Sequence, residues 1–429
     1  MASMDRVLRQ VRSEKEALGS SQTIMRIFRK KIRLREALVK ISEHVSPVGV
    51  EEVPLDRAFG RVLAEDVRAS VDVPPFDRAA RDGYAVRASD TFRATPERPV
   101  RLRLSRSGGV CEGECVQIQT GEPLPKGSDA VLMLEFTRNL GDEIEVLKPV
   151  TPGKNVSFRG EDVRRGDIVL RKGRILRPYD IGMLAAIRQR TVKVYKKPEV
   201  GIISTGDEIL DPLADEPQPL KVFDSNSYAL AALVEEAGAA PLRLGIVRDA
   251  AGVSGLKDAI LDGLIGSDVL LVSGGSSVGE RDFLADALTE LGEILFHGVA
   301  LRPGEPAGFA LVNVNGERKP VFMLPGFPVA TIAAFELLVR PALHRMQGMT
   351  PVERPSVLAR AKRKIPSELG RVDFVRVRLE FEAAEAYATP IRTSGAGVLS
   401  SVTRADGFLL IPEEKEGVEQ GELVKVFLF

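Results

Sequence analysis

The chain is poor in the residues that most often carry metal and acid–base chemistry. Of its 429 residues only Cys111 and Cys115 are cysteines, and its three histidines, His44, His297 and His344, are scattered. Two thiols make no disulfide framework, and without a neighbouring histidine they make no zinc site. They read as ordinary cytosolic thiols, which places the chain in the cytoplasm. Acid–base or metal chemistry must then rest mainly on carboxylates, lysines and arginines. No apolar run approaches a bilayer span, and no signal-peptide core precedes a small-residue cleavage site. An excess of one charge is also missing, with 60 basic against 60 acidic residues. That balance argues against a general nucleic-acid surface and leaves only a local basic patch open. The length exceeds one ordinary core, so about two to four domains are expected.

What is there centres on DVLLVSGGSSVGERDF, Asp268 to Phe283. The apolar run Val269 to Val272 suits a strand buried on both faces. It ends in Ser273-Gly274-Gly275-Ser276-Ser277, where glycines let a ligand approach the backbone and leave amides free to face an anion. Glu280 and Asp282 follow, and a helical pattern starts at Phe283. In an open α/β sheet such loops lie where ligands bind. The segment therefore reads either as an ordinary strand-to-helix turn or as a site for an anion with a divalent cation.

Residues 1–32 read as an N-terminal extension, frayed and rich in Arg and Lys, with Met25 as an alternative start. Leu34, Leu38, Ile41 and Val45 recur at helical spacing, and a second short helix is expected near Asp56 to Leu63. After Pro74-Pro75 the pattern changes to short β runs, Val100 to Leu104, Cys115 to Gln119, Ala130 to Leu134 and Glu143 to Leu147. From about 198 strands alternate with helices, which predicts a mainly parallel, doubly wound α/β sheet. Its acid-bearing loops at Asp207-Glu208, Asp249 and Glu280-Asp282 each follow a strand and should gather at one sheet edge. A helix is expected from Pro328 to about Met346 despite Pro341 inside it. After about 350 further short β runs make a second small β domain.

Ordered motifs then carry a resemblance: PPFDxxxxDGYAV (74–86), TGEPLPKGxDAV (120–131), RGEDV (159–163), ISTGDE (203–208), DSNSY (224–228), SGGxSVGExDF (273–283), RPGxP (302–306) and PGxPV (325–329). From about residue 33 onward the chain resembles the MoeA family of molybdopterin molybdenumtransferases, whose relatives include gephyrin and the plant Cnx E domains. The resemblance implies a multidomain α/β plus β architecture. An elongated dimerisation domain (33–72 and 153–195) is split by an inserted β domain (73–152). A molybdopterin-binding α/β domain (196–348) and a C-terminal β-barrel-like domain (349–429) follow. It implies a homodimer with the active cleft built across the two subunits.

The implied reaction is Mg²⁺-assisted insertion of molybdenum from molybdate into adenylylated molybdopterin, with release of AMP. Magnesium prefers hard oxygen ligands and keeps several waters, so carboxylates suit it. Residue by residue, the motifs assign catalytic and metal-binding roles to Asp82, Asp162, Glu208, Asp249 and Asp282. Thr120, Ser273, Gly274, Gly275 and Ser277 match substrate positions. Arg302, Pro306, Arg371, Arg376 and Ser400 match or replace groups that meet the oxyanion. A molybdopterin adenylyltransferase or a molybdenum enzyme fits as a protein partner, because the product is oxygen-sensitive; no nucleic acid or membrane is implied.

Departures cluster at the site. Arg78-Ala79-Ala80-Arg81 stands where the family usually has Asn-Ser-Ala-Met, and Arg302-Pro303-Gly304-Glu305-Pro306 replaces Lys-Pro-Gly-Lys-Pro. Phe327 replaces an Asn, and Ser276 a Val. The charge reversal at Glu305 is not trivial, since a unit charge about 4 Å away is worth roughly 4 kcal/mol at an effective dielectric near 20. Three accounts follow: compensation, with Glu305 paired to Arg78 or Arg81; a paralogue using another oxyanion such as tungstate; or a non-catalytic, gephyrin-like dimeric scaffold. A competence-damage-type nucleotide hydrolase shares the α/β domain, but the inserted β domain and the DGYAV and RGEDV motifs argue against it.

Overall fold

The alternating pattern after residue 198 folds into one sheet with helices on both faces. The computed structural model describes residues 31–274, 282–350, 353–382, 385–392 and 395–429. Of the extension expected over 1–32, only Lys31 and Ile32 are among them, and Gly275, Ser276, Ser277, Glu280 and Arg281 lie outside. The chain divides into a smaller unit, residues 51–194, and a larger one made of the segments on either side.

Helix α1 (Leu34–His44) belongs to the larger unit. Ala37 and Ile41 are buried, with Val45 just beyond its end, and Leu34 and Leu38 pack at the margin of the same cluster.

The smaller unit holds a six-stranded sheet. Its strands are β1 (Gly83–Val86), β2 (Val100–Leu104), β3 (Glu114–Ile118), β4 (Ala130–Met133), β5 (Thr137–Asn139) and β6 (Glu143–Val146), in the order β4-β1-β3-β2-β6-β5. All pairs are antiparallel except β2–β3. Its core includes Tyr84, Val86, Leu102, Cys115, Leu132 and Ile144. A second cluster forms from residues on both sides of this insert in sequence, Leu63, Val67, Val163, Leu176, Leu184 and Val194 among them. Helix α2 (Pro178–Ala186) seats Leu184 in it. The helix expected near Asp56 to Leu63 is only a single 3₁₀ turn, Leu55–Arg57. Arg61 and Leu63 pair instead with the backbone of 174–176, which straightens the chain there.

In the larger unit the strands are β7 (Glu199–Thr205), β8 (Ala240–Val247), β9 (Val269–Ser273), β10 (Gly292–His297), β11 (Gly308–Val314) and β12 (Glu317–Leu324). Their order is β8-β7-β9-β12-β11-β10. The first four run parallel, and β11 and β10 add an antiparallel edge. Strand β9 is buried at every position, as its unbroken apolar run requires. Alternate residues face opposite layers. Leu271, Phe309 and Phe322 meet α1, α3 (Ser225–Glu236) and the helices after β12. Leu270, Val272 and Met323 meet α4 (Gly252–Ile265) and α5 (Phe283–Leu291).

The helical run after β12 is α6 (Pro328–Ala334), one π turn at Phe335–Val339, and α7 (Arg340–Met346). The wide turn sits where the ring of Pro341 would otherwise meet the preceding carbonyls.

The C-terminal strands close on themselves. β13 (Ser356–Ala361), β14 (Val372–Glu382), β15 (Glu385–Arg392), β16 (Gly407–Ile411) and β17 (Leu423–Leu428) run in the order β14-β15-β13-β17-β16, and β16 pairs back to β14. This is the expected barrel. Leu301 and Arg302 lie parallel against Val372 and Asp373, so the RPGEP loop is sewn to the barrel's outer strand. No helix among the described residues is long and apolar enough to cross a membrane.

Candidate active site

The carboxyl ends of β7, β8, β9 and β12 lie at one edge, as parallel pairing demands. Four loops leave from it. After β7 comes Thr205-Gly206-Asp207-Glu208, after β8 Arg248-Asp249, after β9 Ser273-Gly274, and after β12 Pro325-Gly326-Phe327. The first two are tied together. A guanidinium nitrogen of Arg248 donates to the Asp207 and Ile209 carbonyls, Lys221 Nζ donates to the Asp207 carbonyl at 2.7 Å, and Gly206 N–H donates to the Val247 carbonyl at 3.1 Å. Glu208 and Asp249 are exposed at this edge.

The third and fourth loops are held by Asn226, on the first turn of α3. Its amide donates to Ser273 Oγ at 2.9 Å, to the Gly326 carbonyl at 2.8 Å and to Thr331 Oγ1 at 3.3 Å. Asp224 caps the same helix by accepting from Ser227 N–H at 3.0 Å. Asn226 and Asp224 belong to the DSNSY motif, whose positioning role its polarity signals but its spacing does not.

Gly274 has φ +101, and a Cβ there would lie 2.4 Å from the Thr205 carbonyl oxygen. Gly274→Ala is expected to cost roughly 2 kcal/mol or more and to lower activity at least about tenfold, read by thermal melting and turnover.

Asp282 starts α5 and is split in function. Its Oδ1 accepts the Ala285 N–H at 3.0 Å, while Oδ2 is buried with no hydrogen-bond partner among the described residues. Burial pushes this carboxyl up to about 6. His297 Nε2, at the end of β10, lies 4.0 Å from Oδ2, and burial pushes that imidazole down to about 4.

The RPGEP loop and the barrel enclose a cavity of about 290 Å³ lined by Arg302, Glu305, Pro306, Phe327, Arg371 and Arg376, among others. Its cations are partly matched by acids that sequence reasoning did not pick out. Buried Asp373 pairs with Arg302, accepts Ser367 Oγ at 2.8 Å, and lies 3.7 Å from Arg371 Nε. Glu368 lies 2.8 Å from Arg371 and 3.7 Å from Arg302. Arg376 is buried and donates to the Phe374 carbonyl and to Ser401 Oγ, each with its own nitrogen, at 3.2 and 3.3 Å. Ser401, the neighbour of Ser400, thus receives Arg376, and Ser400 itself is exposed outside the cavity lining.

Phe327, at the start of α6, is exposed and gives no side-chain cap. Glu305 meets a cation within its own unit. Its Oε1 lies 2.7 Å from Lys31 Nζ.

In the smaller unit Asp82 accepts both the N–H and the hydroxyl of Thr120, at 2.7 and 2.8 Å. These bonds hold its carboxyl below the usual range. Asp162 is exposed, in a turn whose backbone ties to Val73 and Pro74. Asp77 accepts the Arg159 N–H at 2.7 Å, and its carbonyl accepts the Leu124 N–H at 2.8 Å. The PPFD, TGEPLPKG and RGEDV motifs therefore meet in one place.

Among the described residues no three His, Cys, Asp or Glu side chains gather closely enough to hold a metal alone. Of the five predicted acids, Asp82 and Asp162 lie in one unit, and Glu208, Asp249 and Asp282 in the other. The donor chemistry still fits magnesium. All five offer hard oxygens, the orphaned Oδ2 of Asp282 has an unused acceptor, and this ion commonly takes one or two protein carboxylates plus phosphate and water.

Residues 32–187 match the MoeA N-terminal region (domain I and II), 201–345 a probable molybdopterin binding domain, and 358–429 the MoeA C-terminal region (domain IV). A Methanocaldococcus jannaschii protein provisionally assigned to molybdopterin biosynthesis is 44% identical, with 91% of this chain and 95% of that protein aligned. The molybdopterin molybdenumtransferase of Bacillus subtilis is 34% identical over 92% of this chain and 94% of its own. The crystal structure of a molybdopterin biosynthesis MoeA protein from Pyrococcus horikoshii superposes with a TM-score of 0.80 at 37% identity, covering 93% of this chain and all of that one.

Proposed function

The chain belongs to the MoeA family of molybdopterin molybdenumtransferases, and from that premise we propose that it inserts molybdenum from molybdate into adenylylated molybdopterin, releasing AMP, in molybdenum cofactor biosynthesis. One observation carries this reading. The arginine-lined cavity and the loop after β9 share a wall, because Pro325 and Phe327 line the cavity while Gly326 packs against Gly274. An oxyanion and a substrate backed by the sheet edge are thereby offered adjoining places.

In this reading Arg302, Arg371 and Arg376, with Pro306 shaping the wall, receive molybdate, a dianion that guanidinium groups suit. The amide of Asn226 fixes Ser273 and the Gly326 turn, which keeps the wall rigid. Thr120 orients the Asp82 carboxylate through two hydrogen bonds and holds it ionised. Asp282, Glu208 and Asp249 in the larger unit, and Asp82 and Asp162 in the smaller, are each proposed as carboxylates that could ligate magnesium, which when bound would neutralise charge on the pyrophosphate. Ser400 lies near this region through Ser401 only, and Gly275 and Ser277, assigned to substrate by their motif, lie outside the described residues. The four-part domain division at 33–72 with 153–195, 73–152, 196–348 and 349–429, and work as a homodimer, belong to the same proposal.

The test is AMP release and formation of active cofactor by purified protein with adenylylated molybdopterin, Mg²⁺ and molybdate. Turnover with molybdate is expected. Preference for tungstate would recast the cavity as selective for the other oxyanion, and no turnover with either, by protein that binds the nucleotide, would overturn the reading.

A further inference from the structure

Glu305 places a negative charge on the wall of a cavity whose other charged walls are arginines. It also borders a second cavity of about 550 Å³, lined by Lys31, Arg33, Glu368, Arg371 and Glu413, among others. Arg371 and Glu305 are common to both. A carboxylate at that shared wall repels any oxyanion entering the first cavity unless a cation answers it.

Lys31 is that cation, and its place is built. Ile32 forms a parallel bridge to Val299, donating its N–H to the Gly298 carbonyl at 3.1 Å and accepting the Ala300 N–H at 2.8 Å. Val299 in turn donates its N–H to the Glu305 carbonyl at 2.9 Å. Both members of the ion pair are therefore anchored through one residue. The extended backbone at 31–33 sends Lys31 and Arg33 to the same side. Arg33 Nε lies 3.5 Å from Glu413 Oε1, so a second pair fastens the same strap.

We propose that Lys31 is a positioning residue of the oxyanion cavity: by pairing with Glu305 it cancels the charge on the shared wall and so permits a dianion to bind beside Arg302 and Arg371. The proposal rests on the oxyanion reading of that cavity. Lys31 acts through Glu305 and does not touch the ligand. Both side chains are about half exposed, 53% and 49%, so the pair adds little to folding. Its effect is on the field at the cavity.

The experiment is calorimetric titration of the full-length protein with molybdate and with tungstate at low ionic strength, using wild type, Lys31→Gln, Glu305→Gln and the double variant. Wild-type binding is expected. Lys31→Gln should weaken it roughly five- to tenfold, and Glu305→Gln should tighten it by a few-fold. The double variant should return to within about twofold of wild type, because both charges are gone together. Equal affinities for wild type and Lys31→Gln would overturn the inference. So would a double variant as weak as Lys31→Gln, since Lys31 would then be meeting the anion itself. Wild type that binds neither oxyanion would instead overturn the reading of the cavity on which the inference rests, so the two failures are separate.

Discussion

Asp282→Asn is expected to lower AMP release by roughly 100-fold or more while leaving the fold at least as stable as wild type. The two carboxylate oxygens explain the opposite signs. Oδ1 caps α5, and an asparagine carbonyl can accept the same Ala285 N–H. Oδ2 is buried without a hydrogen bond among the described residues, and the nearby His297 is pushed down to about 4 and so carries no charge at neutral pH. Burial holds the Asp282 carboxyl at about 6, above its unfolded value. Between pH about 4 and 6 the folded state therefore binds more protons than the unfolded one, and stability falls as pH rises through that window. By neutral pH the ionised form costs about 2–3 kcal/mol. A neutral amide removes most of that cost, so a rise in melting temperature of about 2 °C is expected. Activity should run the other way in wild type, declining at low pH as the carboxylate is lost, with a midpoint below about 6 in the presence of magnesium, because a bound cation favours the ionised form. A melting temperature several degrees below wild type would mean that Oδ2 carries a structural bond. Unchanged turnover would remove Asp282 from the site.

The frame that carries the candidate site was legible in the sequence where its parts are local. The β9 strand and Gly274 at its end have direct local signatures, an apolar run and a residue that tolerates positive φ, and the helix starts at Phe283 as its pattern predicts. The short runs at 100–104, 115–119, 130–134 and 143–147 likewise appear as strands within a residue or so. What was hidden depends on partners far apart in sequence. Nothing near Glu305 announces Lys31; the two meet because Ile32 bridges Val299, and backbone bridges of that kind leave no side-chain pattern. Nothing local marks Asp373 within the β runs after about 350. It is a buried counter-charge because Leu301 and Arg302 run along β14. Strand β11 escaped for another reason. Gly308–Val314 is an apolar run bounded by Pro303-Gly304 and Pro306 before it and by Asn315-Gly316 after it, so its signal is local and present, and it is masked only by its shortness beside the RPGEP motif. The helix expected near Asp56 was overruled by backbone pairing with 174–176, a tertiary contact that local spacing cannot report.

Removing Glu336 should do the most damage to stability, and the reason also bears on the arginine-lined cavity. Its carboxylate is almost fully buried and receives two guanidinium forks: Arg340 at 2.9 Å to each oxygen, and Arg354 at 2.8 and 2.9 Å. Glu236, at the end of α3, closes the cluster, accepting from Arg340 at 2.7 Å and Arg354 at 2.8 Å. Burial alone would raise the Glu236 carboxyl, yet Arg354 and Arg340 together hold it below its ordinary value. Glu336→Ala leaves two buried guanidiniums sharing one half-exposed carboxylate, which should cost about 3–5 kcal/mol in urea unfolding. Glu336→Gln, which keeps one acceptor, should cost less. The cluster joins α3, the π turn and α7 to Arg354, which also donates to the Leu428 carbonyl of β17 at 3.3 Å. It therefore helps seat the barrel on the sheet layer. Arg371 and Arg376 reach the cavity from the barrel side, and Arg302 and Phe327 from the loops of the sheet. Loosening that seat moves one wall of the cavity against the other, and with it the proposed oxyanion site. The expected kinetic mark, well below the melting temperature, is a raised KM for molybdate with a smaller change in kcat, because ground-state positioning is lost before any group that meets the reacting atoms. An unchanged KM in a destabilised Glu336→Ala protein would assign the seating instead to the apolar contact of Ala333 with Phe374 and Phe408, whose rings stack at 4.3 Å on the same side of the barrel.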